Sequence, residues 1–151
     1  MIKLITVGTI KENYLKEAIK EYSKRLKKYT TLDIIEVKDE GLVEPQKAIL
    51  LESEKIKKNL SDKDYIITLE IDGKQLTSPE FAKKLNQIQI ETSNIVFIIG
   101  GSYGLSDEIK QRARLHLSFS NMTFPHQLFR VILLEQIYRA YKIINNESYH
   151  K

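Results

Sequence analysis

Three glycines stand within five positions in the segment IVFIIGGSYGLS, residues 95–106, although the whole chain has only six. An apolar run precedes them and a potential helix-capping serine follows, which places them at the carboxyl end of a buried strand. Open α/β sheets bind small ligands at that edge. The spacing fits neither the G-x-G-x-x-G fingerprint nor the phosphate-binding P-loop. We therefore predict a small-molecule site without phosphate recognition, the alternative being an ordinary strand-to-helix turn.

A second loop, SFSNMTFPHQ at residues 118–127, combines small polar and aromatic residues. Pro125 restricts Phe124 to an extended backbone immediately before a predicted helix, which leaves several N–H and C=O groups free. Two loops that each follow a strand can meet at one edge of a parallel sheet and hold a ligand with donors and acceptors, such as an adenine. His126 could act in catalysis, but a histidine at a helix start more commonly packs or caps. His116 lies in a strand pattern, which indicates a structural role.

The C-terminal part of the chain supplies the remaining polar candidates. Arg139 follows Glu135 at the spacing of one helical turn, which is typical of an exposed ion pair. The chain ends in ESYHK, with Tyr149, His150 and Lys151 at a terminus of the kind that usually frays. These residues can take part in chemistry only if the terminus is fixed against the rest of the molecule.

Composition limits the class of protein. The 151 residues suffice for one domain spanning residues 1–151, and no cysteine is present for a disulfide or a thiolate metal site. No apolar stretch approaches the length of a spanning helix, and the N-terminus lacks the apolar run of a signal peptide. We therefore expect a cytoplasmic protein without membrane association or bound metal. A net charge of +4 is compatible with a polyanionic partner, although much of the lysine fits a solvated helix face.

Apolar runs bounded by turn residues alternate with stretches of helical periodicity along the whole chain. We expect a turn at Asp72-Gly73 and a helix that begins with Ser78 as its cap and Pro79 at its first position. The predicted strands cover residues 2–7, 32–37, 64–71, 94–99 and 115–119. The predicted helices cover residues 12–28, 45–59 and 127–144, with two more that start at positions 78 and 106.

Five strands that alternate with helices predict an α/β fold with a mainly parallel sheet and helices on both faces. The last predicted helix carries apolar residues around more than half of its circumference. One sheet face would not cover such a helix, so a homodimer interface and deep burial within one chain are both open explanations.

The segments FIIGGSYGLS, LSFSNMTFPHQLFRVILLEQIYRAYKI and the closing YHK resemble the ribosomal RNA large subunit methyltransferase H family of the SPOUT superfamily. The resemblance extends from KLITVGTIKENY through ITLEIDGK to the last residue. It implies a C-terminal trefoil knot in the α/β fold, an exception to the rule that chains do not thread loops. It also implies a homodimer, S-adenosylmethionine as methyl donor, and methylation at N3 of a pseudouridine in 23S ribosomal RNA, within assembled ribosomes.

The resemblance implies two sets of site residues. Arg139, Tyr149 and His150 would orient the target base and the RNA. Paired glycines would let the backbone close on an uncharged adenosine, which accounts for the missing phosphate-binding features. The methyl donor would bind after two strands and along one loop, at Leu69, Gly100, Phe119, Ser120, Asn121, Met122, Thr123 and Phe124.

The expected reaction needs little catalytic apparatus. A sulfonium is already a strong methyl donor, so alignment of N3 with the methyl carbon can supply about 7–11 kcal/mol of rate acceleration. The N3 proton still requires a base or an ordered water. One alternative is a tRNA methyltransferase on the same scaffold, which the YHK terminus and the lack of an added domain oppose. The other is a non-catalytic ribosome-associated module, which would need no donor site.

Overall fold

Strands and helices alternate along the chain in the computed structural model, which describes residues 1–151. The elements are β1 (Ile2–Val7), α1 (Asn13–Leu26), β2 (Leu32–Val37), α2 (Pro45–Lys57), β3 (Tyr65–Gln75), α3 (Ser78–Glu91), β4 (Ile95–Ile99), α4 (Asp107–Arg112), β5 (Leu115–Ser118) and α5 (His126–Ile144). The five strands form one parallel sheet in the order β2-β1-β4-β3-β5. The predicted α/β fold with a parallel sheet is thereby confirmed.

The sheet carries apolar side chains on both faces because helices cover both of them. Along β4, Phe97 belongs to a core of 19 buried residues that includes side chains of α1, α3 and α5. The next residue, Ile98, belongs to a core of nine that includes side chains of α2 and α4. Full burial of such a side chain contributes about 1.5–3 kcal/mol to stability. None of the helices has the length and apolar composition of a membrane-spanning segment.

The C-terminal helix α5 lies on the larger core and contacts both α1 and α3. Its residues Leu133, Leu134, Ile137 and Ala140 are at most 1% exposed. Leu128, in the first turn, is the one large apolar residue of the helix that is exposed. The wide apolar surface of α5 is therefore largely covered within one chain. Burial within the chain accounts for much of this surface, and the homodimer interface stays a prediction.

Strand β3 is longer than the sequence predicts, because Asp72-Gly73 does not turn the chain. Leu117 of β5 pairs with both Leu69 and Lys74, so the segment between these two residues of β3 bulges. An added Cβ at Gly73 would lie 2.8 Å from backbone atoms of β5. The predicted turn is wrong, and the glycine instead permits a close approach of β3 to β5.

Helix α3 is capped by Thr77 and not by the predicted Ser78. The Thr77 hydroxyl accepts a hydrogen bond from the backbone N–H of Glu80 at 3.2 Å, and the Glu80 carboxylate accepts one from the Thr77 N–H at 2.9 Å. Such a capping box satisfies two free donors, and loss of an N-cap typically costs about 1 kcal/mol. Ser78 instead donates to Gln136 Oε1 of α5 at 2.7 Å. Pro79 lies in the first turn, where no hydrogen bond from its nitrogen is required.

Candidate active site

A cleft of about 410 Å³ lies at the carboxyl ends of β3, β4 and β5, and we name it the β4 cleft. Its size is in the range of small-molecule sites. Asn121 does not line it, because the Asn121 side-chain oxygen accepts a hydrogen bond from Gln75 Nε2 at 3.0 Å on the surface. The other residues expected to bind the methyl donor all line the cleft: Leu69, Gly100, Phe119, Ser120, Met122, Thr123 and Phe124.

The glycine cluster forms a tight turn in which the Gly104 N–H donates to the Gly101 carbonyl at 3.1 Å. Gly104 has φ = +85°, a conformation that favours glycine. An added Cβ at Gly100 would lie 2.9 Å from the carbonyl carbon of Gly104, and one at Gly101 would lie 2.9 Å from Val7 Cγ1. Packing within the chain therefore already requires these glycines, in addition to the close approach to a ligand that the sequence predicts.

Aromatic contacts hold the loop of residues 119–124 against α5. The rings of Phe119 and Phe129 meet edge to face at 5.1 Å, and the rings of Phe124 and Phe129 stack at 5.8 Å. Such pairs contribute about 0.5–1.5 kcal/mol each beyond the area that they bury. Phe129 also lines the β4 cleft, although the sequence did not predict it. The available signal was an aromatic residue in the first turn of the helix that follows the loop.

Glu70 brings a negative charge to the β4 cleft. Its carboxylate accepts a hydrogen bond from Thr68 Oγ1 at 2.6 Å and contacts His116 Nδ1, and Lys110 Nζ lies 3.7 Å away. Burial raises the pKa of Glu70, but these partners outweigh it and hold the pKa below its usual value. His116 thus contacts a residue of the cleft from its place in β5, and its structural role stays a prediction. Glu70 and Lys110 line the cleft, although the sequence did not predict either of them. The structure contains no group of three or more His, Cys, Asp or Glu side chains placed to bind a metal ion.

A buried carboxyl group lies behind the glycine turn. Glu52 of α2 is 3% exposed; its Oε2 accepts from the Glu40 N–H at 2.9 Å, whereas its Oε1 has no hydrogen-bond partner. An added Cβ at Gly101 would lie 3.3 Å from that Oε1. Burial raises the pKa of Glu52. The neighbouring Ser53 shares a hydrogen bond of 2.8 Å with the Ser106 hydroxyl, so α2 supports both ends of the turn.

Two of the C-terminal residues, Tyr149 and His150, contact side chains of α5. Arg139 pairs with Glu135, and its Nη1 lies 3.1 Å from His150 Nδ1. The Tyr149 hydroxyl donates to Glu135 Oε1 at 3.2 Å, and the Arg139 guanidinium lies 4.8 Å from the centre of the Tyr149 ring. Arg139, Tyr149 and His150 are thus neighbours, and the ion pair is part of a half-buried network. None of the three lines the β4 cleft of its own chain.

The chain is similar to known proteins over its whole length. A family model described as "Predicted SPOUT methyltransferase" matches residues 1–150. A relative from Bifidobacterium adolescentis, named ribosomal RNA large subunit methyltransferase H, is 55% identical over 99% of each chain. A relative of the same name from Caldicellulosiruptor saccharolyticus is 49% identical over 100% of each chain. A solved methylase family protein from Haemophilus influenzae Rd KW20 has a TM-score of 0.57 at 16% identity, covering 99% of this chain and 70% of that one, which supports the fold alone.

Proposed function

Because the chain belongs to the SPOUT methyltransferase family, we propose that this enzyme methylates N3 of a pseudouridine in the 23S RNA of assembled ribosomes, with S-adenosylmethionine as methyl donor. The family gives the enzyme class, and the names of relatives that match over the full length support the RNA substrate. We place the donor site in the β4 cleft because the glycine turn and the 119–124 loop both line it.

The β4 cleft suits such a donor in its size and lining. An adenosine needs apolar surface and a few placed polar groups, and Leu69, Leu105 and Leu117 offer the apolar part beside the backbone of the two loops. The ionised Glu70 complements a positively charged group. When bound, S-adenosylmethionine supplies a methyl group activated by its sulfonium. The task of the chain's own residues is to orient that group and to limit the access of water.

We propose a homodimer in which the C-terminal tail of one protomer completes the β4 cleft of its partner. Arg139, Tyr149 and His150 are held together on α5 but line no part of their own β4 cleft, which supports action at a second protomer's site. There Tyr149 stacks on the target base and Arg139 contacts the RNA. The N3 proton passes to the His150 imidazole or to an ordered water.

The proposal includes a single domain over residues 1–151 whose C-terminal segment threads a trefoil knot. Family membership supports the knot, because the resemblance to the SPOUT superfamily implies it. After β5 the chain passes the 119–124 loop and returns as α5 to contact α1 and α3. Threading of this C-terminal segment through a loop would be an exception among protein folds.

Mass spectrometry of ribosomal RNA tests the proposed function. RNA from cells that lack the gene should have lost one methyl group on a large-subunit pseudouridine, and wild-type protein with S-adenosylmethionine should restore it to their purified ribosomes. Unchanged methylation in those cells would contradict the assignment. Calorimetry with S-adenosylmethionine distinguishes the enzyme from a non-catalytic ribosome-associated module. The enzyme should bind the donor, whereas a module without chemistry has no need to bind it.

A further inference from the structure

A second cleft, of about 900 Å³, lies at the carboxyl ends of β1 and β2, and we name it the β1 cleft. The loop after β1 forms one side, and the first turn of α5 forms the other. Gly101, Ser102 and His126 line both this cleft and the β4 cleft, so the two spaces adjoin. The function proposed above assigns nothing to this space.

A buried guanidinium forms the floor of the β1 cleft. Arg130 is 1% exposed; its Nη1 donates to Glu36 Oε2 at 2.6 Å, and its Nη2 donates to the carbonyls of Val7 and Gly8 at 3.1 and 2.9 Å. The same Glu36 oxygen accepts from the Ile10 N–H at 3.0 Å. Charge-assisted hydrogen bonds of this kind are about twice as strong as neutral ones. The loop after β1 is therefore held in one shape before any ligand arrives, as a binding site requires.

The rim of the β1 cleft carries two exposed lysines, Lys11 and Lys38, neither of which forms an ion pair. The backbone N–H of Lys11 donates to Gln127 Oε1 at 3.0 Å, which joins this rim to α5. Carboxylates of Glu12 and Asp39 also line the cleft. Free ammonium groups suit phosphates, while carboxylates and loop backbone suit the donor edge of a base. The mixture fits a nucleotide within an RNA strand better than an apolar ligand.

We infer that the β1 cleft holds the target nucleotide of the RNA, with its base turned toward the wall shared with the β4 cleft. This inference rests on the proposed function. The phosphates that flank the nucleotide lie near Lys11 and Lys38, and the base reaches Gly101 and Ser102, beyond which the methyl donor binds. The bond between N3 and the methyl carbon forms as the sulfur–methyl bond breaks. The sulfur leaves as a neutral sulfide, and the N3 proton passes to the His150 imidazole or to an ordered water, as proposed above.

Two variants test the inference. Thr9→Trp fills the β1 cleft from an exposed residue outside the β4 cleft. The double variant Lys11→Glu with Lys38→Glu removes the free ammonium groups, and Lys58→Glu with Lys83→Glu is its matched control, because both control lysines are exposed and line neither cleft. The readouts are the Kd for S-adenosylmethionine by calorimetry, the Kd for ribosomes lacking the methyl group, and the rate of methyl transfer to those ribosomes.

Thr9→Trp and the β1-cleft double variant should weaken binding to the ribosomes by at least about tenfold and slow methyl transfer to match. The double variant should also reduce the salt dependence of ribosome binding, since two phosphate contacts are lost. Affinity for S-adenosylmethionine should stay within about twofold of wild type. The inference would be overturned if both cleft variants bound ribosomes as tightly as wild type, or if the control double variant lost as much ribosome affinity as the cleft double variant. Either result would leave the proposed function intact. An inactive wild-type enzyme would instead remove the proposed function and the inference with it.

Discussion

The two clefts share one wall but are built from different groups. In the β4 cleft, the backbone of the glycine turn and an aromatic loop set the shape, and an added Cβ at Gly100 would contact Gly104 at 2.9 Å. In the β1 cleft, a buried charge sets the shape, because Arg130 binds Glu36 and two carbonyls of the loop after β1. A larger side chain should therefore disrupt a site that is shaped by close backbone packing. Removal of the charged side chain should disrupt a site that is shaped by a buried charge.

This difference suits the two expected ligands. A small donor molecule can be contacted on most of its surface, so a cleft shaped by close backbone packing and aromatic contacts favours one ligand shape. A nucleotide belongs to a large charged strand, so its site combines a fixed floor with exposed lysines at the rim. The variants below separate the two clefts by adding atoms to one and removing charges from the other.

Gly100→Val should have the largest effect on binding, because its side chain would collide with Gly104 and Leu105 and distort the turn. We expect a loss of affinity for S-adenosylmethionine of at least about a hundredfold, or about 2.7 kcal/mol, by calorimetry. Gly41→Val is the matched control, since an added Cβ there meets only the flexible Asp39 side chain. If both variants bind the donor as wild type does, the donor site does not lie at the glycine turn.

Arg130→Met should destabilise the fold, because it leaves the Val7 and Gly8 carbonyls and the Glu36 carboxylate without their buried donor. We expect the free energy of unfolding in urea to fall by about 3 kcal/mol. Arg114→Met is the control, because Arg114 forms an exposed ion pair with Glu91, of a kind worth about 1 kcal/mol or less. Equal losses in the two variants would mean that the β1 cleft has no special charged floor.

Deletion of Tyr149, His150 and Lys151 concerns a region that lines neither cleft of its own chain. Methyl transfer should fall by at least about tenfold, equivalent to 1.4 kcal/mol, while the affinity for S-adenosylmethionine stays unchanged. Deletion of Lys151 alone is the control, because Tyr149 and His150 carry the contacts to Glu135 and Arg139. Full activity of the longer deletion on ribosomes would show that the tail is outside the active site.

Glu52→Gln should have the smallest effect. The pKa of Glu52 is raised by burial and by nearby Asp39, against the opposing Glu40 N–H and Lys55. A carboxyl with a raised folded-state pKa supports folding below its unfolded pKa of about 4.3, and that support is lost as pH rises through the folded value. The variant should therefore be slightly more stable than wild type at pH 8, with a weaker pH dependence above about pH 4.3. Chemical denaturation across this range checks it, with the exposed Glu54→Gln as control; identical pH profiles for wild type and Glu52→Gln would contradict it.

Sequence patterns predict the elements well wherever local periodicity decides them. The strands and helices fall within a few residues of their expected bounds, and the two loops around Gly100 and Phe124 line one cleft as expected. The turn expected at Asp72-Gly73 fails because pairing with β5 overrides the local turn signal. The apolar circumference of α5 does not by itself decide between burial and a dimer, because contacts of α1 and α3 cover much of that helix and leave no mark on the helix sequence alone.

The β1 cleft could not be predicted from the sequence, for a physical reason. Arg130 meets Gly8 across 122 positions of chain and Glu36 across 94, and no local pattern links residues so far apart. Arg130 is nevertheless buried within α5, because its Nη1 and Nη2 donate to Glu36 and to the carbonyls of Val7 and Gly8, while only its Nε has no partner. Asn121 was expected to bind the donor because it lies in the predicted loop. The loop sequence does not reveal that its side chain instead accepts a hydrogen bond from Gln75 on the surface.

Amide hydrogen exchange measured with and without S-adenosylmethionine tests the assignment of the two clefts most directly. The donor should slow exchange in residues 100–106 and 119–124, most of which line the β4 cleft, because bound ligand restricts local opening there. Residues 8–12 and 36–39 of the β1 cleft should exchange at their former rates until ribosomal RNA is added. Protection by the donor confined to residues 8–12 and 36–39, with none in the glycine turn, would contradict the account.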